Sequence, residues 1–179
     1  MSKTKSITKI GLFTALICIG AFISIPLGPV PITLQNFFVF MAGILLTPAE
    51  ATLAVAVYVI LGLAGLPVLA GFTGGIQSVF KPSFGFLIGF IISAAVISIM
   101  LKNTDDKKKI FLSLIVAEII TYAVGLPYMY MILKYYIGAA PESLYAVFAM
   151  GMIPFIPGDV IKMIIATIIA PKVKKSINK

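Results

Sequence analysis

The chain has 179 residues, of which 60% are hydrophobic and only 11% charged, with a mean hydropathy of +1.12. An ordinary globular domain is about 45–50% apolar and about 25% charged, and a chain this short cannot hide so much apolar surface from water, so a soluble fold is excluded and membrane lipid must be part of the solvent. The net charge of +8 comes from fourteen lysines and no arginine; these stand in short blocks beside apolar runs, which reads as membrane orientation and not as nucleic-acid binding, where the guanidinium fork is favoured.

The first apolar run predicts a helix from about Ile7 to Ile25, retained as a membrane span and not cleaved as a signal peptide, because no small-x-small site precedes a polar domain. Pro26-Leu27-Gly28-Pro29-Val30-Pro31 ends it, since three prolines in six residues remove N–H donors and favour extended dihedrals. The second helix covers about Thr33 to Leu46 and is short for a hydrocarbon core of about 30 Å. Thr47-Pro48-Ala49-Glu50 reads as a capping box with proline at the first helical position. It opens a third helix to about Leu63. Gly62, Gly65 and Pro67 then begin an irregular segment to Ser83 that carries Gly71, Gly74 and Gly75. This segment is too apolar for a free aqueous loop, so it is expected to fold back over the bundle.

The fourth helix is predicted over Phe84 to Leu101, followed by a solvated turn from Lys102 to Lys109. The fifth runs from about Ile110 to Tyr136 with a kink expected at Gly125-Leu126-Pro127. Ser143 to Met152 is read as a short interfacial helix. After the break Pro154-Phe155-Ile156-Pro157-Gly158, the sixth span begins near Asp159 and ends at Pro171, with a basic tail. The expectation is a single all-α transmembrane domain over 1–179, a bundle of about six helices.

Lysine placement sets the orientation. Eleven of the fourteen lysines fall on one side of a six-helix arrangement: Lys3, Lys5 and Lys9; Lys102, Lys107, Lys108 and Lys109; Lys172, Lys174, Lys175 and Lys179. The positive-inside rule then places both termini in the cytoplasm. The proline segment, the glycine-rich segment and the break before Asp159 gather at the outer face, which is the main clue to a site.

Enzymatic chemistry is a poor reading. His is absent, so His-based catalysis is excluded, and there is no Walker A run, H-E-x-x-H or nucleophile elbow. The single Cys18 cannot form an intrachain disulfide or a multi-cysteine metal site, so no metal and no cofactor are expected. Ionisable groups at membrane depth default to function. Asp159 and Lys162, three apart, share one face of a helical first turn. They form either a structural cap and ion pair or a pair that awaits a polar ligand. Glu118 is either a proton carrier or a buried or partner-facing acid. Thr33, Gln35, Gln77, Ser78 and Tyr122 add amide and hydroxyl groups near the outer openings. A greasy cavity with a few polar anchors suits a small amphipathic molecule.

Val30-Pro31-Ile32-Thr33-Leu34-Gln35, Gly62-Leu63-Ala64-Gly65-Leu66-Pro67-Val68-Leu69-Ala70-Gly71 with Gly74-Gly75, Lys81-Pro82-Ser83-Phe84-Gly85-Phe86-Leu87-Ile88-Gly89-Phe90, and Pro154-Phe155-Ile156-Pro157-Gly158-Asp159 with Lys162 resemble the BioY biotin transporter family in order, spacing and overall length. The resemblance implies a biotin-binding S component of an energy-coupling factor transporter in the bacterial plasma membrane. It further implies six helices, a site near the outer face, and docking onto a transmembrane coupling subunit driven by two ABC-type ATPases. Carried over by position, Asp159 and Lys162 match the polar pair, Gln35 the glutamine of the V-P-x-T-x-Q run, and Gln77, beside Gly74 and Gly75, the polar contact of the glycine-rich segment. Gly11 and Ala15 correspond to the small residues through which S components meet the coupling subunit, with Gly where Ala is usual. The family often carries a G-P-T-G-G-like run where this chain has Lys81-Pro82-Ser83-Phe84-Gly85. The alternatives are an S component for another vitamin and a proton-coupled secondary transporter using Glu118 or Asp159.

Overall fold

The computed structural model describes residues 3–102 and 104–177, with side chains as far as Lys175. Helix α1 spans Lys3–Phe22. It stops before the prolines, and Ser24–Ile25 (β1) pairs antiparallel with Ile32–Thr33 (β2), Ser24 opposite Thr33. The proline segment is thus a small ribbon turned at Gly28, φ 58°. Helix α2, Gln35–Leu45, starts directly after it, so Thr33 is a strand residue and not helical. Helix α3, Pro48–Leu63, opens with the expected capping box: the Thr47 hydroxyl accepts from the Glu50 N–H and the Glu50 carboxylate from the Thr47 N–H.

The glycine-rich segment folds back as expected, through a bridge between Leu69 and Thr73 and a 3₁₀ turn at Ile76–Phe80. Helix α4 is Phe84–Met100, and α5 is Lys107–Met131. Gly125-Leu126-Pro127, where a kink is expected, lies inside α5, and the helix runs on through a π turn, Ile132–Ile137, to Gly138 at φ 77°. Proline inside a membrane helix is tolerated where neighbours and local π adjustments absorb the missing hydrogen bond. Helix α6, Leu144–Gly151, meets α7, Ile156–Ile177, at 48°. Helix α7 begins before Asp159 and passes through Pro171, so the basic tail is helical as far as it is described; Lys179 lies outside the described residues.

Helices α2 and α4 are the centre of the bundle. Helix α2 packs on α1, α3, α4 and α7, and α4 on α2, α3 and α5. The α4–α5 contact is close because Gly89 has no side chain: a Cβ there would lie 2.9 Å from the Thr121 Cα. Ser93 donates to the Ala117 carbonyl at 2.7 Å, and Ser98 to the Leu46 carbonyl at 2.6 Å, where α2 ends. These bonds satisfy polar groups that lipid cannot. Outside the bundle the pattern inverts: Ile60 is 61% and Ile119 62% exposed, and Ile99, Leu112, Ile161 and Ile168 also face outward, an apolar belt suited to lipid and untenable in water. Helices α1 and α5 with its π extension are each long and apolar enough to span a bilayer, and the α6–α7 pair makes a third if counted as one bent span. Helices α2, α3 and α4, with 11, 16 and 17 residues, are shorter.

The two ends of the bundle differ. At one, Ser6 donates to Glu50 at 2.7 Å, Lys174 pairs with Asp105 at 2.6 Å, and Lys9, Lys102 and Lys174 share one cleft. This is the lysine-rich end, where α1 starts and α7 finishes. At the other lie the ribbon, the glycine-rich segment, α6 and the first turn of α7.

Candidate functional site

At that second end is a cavity of about 240 Å³. Its walls are mostly apolar, with Val30 of the ribbon turn, Leu69, Phe155, and Phe84, Phe86 and Phe90 of α4. Its floor is a buried polar network contributed by α2, α3, α5 and α7.

The network grows from α7. Asp159 lies inside the first turn, its own N–H donating to the Phe155 carbonyl at 2.9 Å, so it is not the N-cap and its side chain is free to point inward. Lys162 sits one turn on and pairs with Asp159 Oδ1 at 3.1 Å. A buried ion pair is stable only when its remaining lone pairs and protons are also met, and here they are. Asp159 Oδ1 accepts from Asn36 Nδ2 at 2.7 Å, and Oδ2 from the Tyr122 hydroxyl at 2.5 Å. Lys162 Nζ donates further to Asn36 Oδ1 and to the Thr33 carbonyl, both at 2.8 Å. All three ammonium protons therefore have acceptors. Asp159 uses three of about four lone-pair positions in these bonds, and the Glu118 carboxyl is a further hydrogen-bonding neighbour.

A second chain starts at the ribbon. The Thr33 hydroxyl donates to Gln35 Oε1 at 3.0 Å, and Gln35 Nε2 donates to the Tyr58 hydroxyl at 2.5 Å. Gln35 is 4% exposed and Tyr58 fully buried. One Gln35 N–H remains over. Glu118 on α5, 8% exposed, neighbours Asp159 and Asn36. Among the described residues, two buried side-chain atoms lack any partner, Glu118 Oε2 and Ser78 Oγ. Both belong to the cavity lining. Buried polar atoms without partners are costly.

Of the residues expected from sequence, Asp159, Lys162, Gln35, Thr33 and Tyr122 are brought together here. Gln77 is not: it is exposed, and its amide donates to the Gly74 carbonyl at 2.8 Å, while its neighbour Ser78 turns inward. Gly74 and Gly75 shape the loop without lining the cavity. A Cβ on Gly74 would collide with the Leu66 carbonyl, and Gly75 has φ 97°. Gly11 and Ala15 lie exposed on the outer face of α1, with nothing within 4 Å of a Cβ built on Gly11. Packing inside the bundle is therefore not their role. Sequence reasoning did not select Asn36 or Tyr58. Their signal was a lone polar group in an apolar helix, and for Asn36 its place beside Gln35. Among the described residues no group of His, Cys, Asp and Glu could hold a metal.

The BioY family model matches residues 1–179. A protein of Thermotoga maritima named biotin transporter BioY is 42% identical over 171 residues, 96% of each chain. A probable biotin transporter BioY of Pyrococcus horikoshii is 36% identical, covering 96% of this chain and 98% of its own. Among solved structures, the S-component for biotin from an ECF-type ABC transporter superposes with a TM-score of 0.73 at 34% identity, covering 98% of this chain and 95% of that one. These relatives are transporters by name and not enzymes. Family, identity over nearly full length and fold agree: this all-α membrane protein belongs to the BioY family.

Proposed function

We propose that the chain is the substrate-binding subunit of a vitamin importer, taking up biotin in the α2–α5–α7 cavity for ATP-driven transport. The observation that carries this is the hydrogen-bonding capacity left open. The Asp159–Glu118 carboxyl pair offers acceptor oxygen, the unpartnered Glu118 Oε2 foremost, and one Gln35 N–H is a donor. A ureido ring presents the complement, two N–H donors and one carbonyl. The apolar walls suit the fused ring and the alkyl chain. Biotin titrated calorimetrically into the purified chain, without nucleotide or partner, tests the reading. Binding that thiamin or riboflavin does not compete away supports it. Absence of binding to folded protein contradicts it.

The chain carries no Walker A motif, which suits a division of labour in which a transmembrane coupling subunit and two ABC-type ATPases supply the energy. The small outward face at Gly11 and Ala15 is the proposed docking surface for that coupling subunit. The lysine-rich end faces the cytoplasm of a bacterial plasma membrane under the positive-inside rule, which puts the cavity toward the outside, where a vitamin arrives.

A further inference from the structure

We propose that Lys81, with Ser78 one turn before it, is the subsite for the carboxylate of the transported ligand, and that Lys162 is not. This rests on the biotin reading and decides which end of the ligand goes where.

Lys162 is close to the polar floor but has nothing left to give. An ammonium has three protons, and Thr33, Asn36 and Asp159 take them at 2.8, 2.8 and 3.1 Å. The remaining open positions on the floor are chiefly acceptors, on the Asp159–Glu118 carboxyl pair. A ligand carboxylate, which only accepts, would place oxygen against oxygen there. It must find donors elsewhere in the same cavity.

The 3₁₀ turn provides them. Lys81 lines the cavity, is half-buried, and has no ion pair among the described residues. Ser78 is 1% exposed, lines the same cavity, and its hydroxyl is one of the two buried side-chain atoms without a partner among the described residues. The two are joined by the bond from the Lys81 N–H to the Ser78 carbonyl, 3.1 Å. The turn is anchored to α5 by the Tyr128 hydroxyl, which donates to the Val79 carbonyl at 2.5 Å. A hydroxyl and an ammonium held one turn apart on an anchored segment make a two-point donor site for a carboxylate, and charge-assisted hydrogen bonds are the stronger kind. Ligand orientation follows: the uncharged polar head lies on the α2–α5–α7 floor and the acid end under the glycine-rich segment.

The test compares biotin with biotinamide, its uncharged amide, on wild-type, Lys81→Gln and Lys81→Arg protein in detergent. Wild type is expected to prefer the acid by about tenfold to a hundredfold. Lys81→Gln should abolish that preference by weakening biotin and leaving biotinamide within about threefold, and Lys81→Arg should keep it. Equal loss for both ligands, or a preference that survives Lys81→Gln, overturns the proposal while leaving the biotin reading intact. A wild-type chain that binds neither ligand overturns both.

Discussion

The Lys162 ammonium and the Asn36 side-chain oxygen, 126 residues apart in sequence, lie 2.8 Å from one another. Asn36 returns the connection through its amide to Asp159 Oδ1 at 2.7 Å, so the start of α2 and the start of α7 are closed into one ring of three side chains. The ring fixes the Asp159 carboxylate in place, and it makes the candidate site a product of tertiary assembly and not of either helix alone.

Removing a member of the ring should cost binding heavily. Asp159→Asn and Lys162→Ala are each expected to weaken biotin by about 2–5 kcal/mol, because each leaves buried partners unpaired. Calorimetry on both variants, with thermal unfolding in detergent as the folding control, checks this. Wild-type affinity in both would reduce the pair to a structural ion pair.

Asn36→Ala removes a donor to Asp159 and an acceptor from Lys162 at once. The expected loss is about 1–3 kcal/mol in biotin affinity. Asn36→Ala should also be strongly non-additive with Lys162→Ala, since the two share partners. A double-mutant cycle reads this directly, and additive losses would show that the ring does not act as a unit.

Two neighbouring positions in the glycine-rich segment should behave oppositely. Gln77→Ala is expected to leave biotin affinity within about threefold of wild type, because its amide only meets the Gly74 carbonyl at the surface. Gly75→Ala should reduce both stability and binding, since φ 97° is strained for any residue with a Cβ. The same titration and melting measurements separate the two, and a large loss in Gln77→Ala would put that amide in the site.

Coupling should separate from binding at α1. Gly11→Leu and Ala15→Leu project bulk outward at the lysine-rich half of the helix, away from the cavity. Biotin affinity should persist, whereas ATP-driven uptake by the assembled transporter should fall as close helix approach is lost. Full uptake in both variants would show that this face is not a docking surface.

Much of the fold was legible because lipid imposes a simple rule: apolar runs become helices and polar punctuation ends them. The capping box at Thr47 and Glu50, the lysine-rich end and the foldback of the glycine-rich segment follow from it. Local proline rules failed where neighbours intervened. Pro171 reads as an end, yet it lies within α7; Pro127, read as lying inside the fifth helix, does so and is followed by a π turn. In the site, Asp159 and Lys162 were readable because three-residue spacing is local. Asn36 was not, because its role depends on α7 arriving beside α2. Between Gln77 and Ser78, the turn direction decides which side chain faces inward, and the sequence carries no period long enough to show it.

The buried ring and its open acceptors are proposed to form a biotin site in this chain. The most direct test is titration of purified, folded protein with biotin and with a biotin analogue whose two ureido nitrogens are methylated. Tight, nucleotide-independent binding of biotin is expected, with a loss of about a hundredfold or more for the methylated analogue, since two N–H donors to Asp159 and Glu118 are removed. Equal binding of the two, or no binding of biotin, would contradict it.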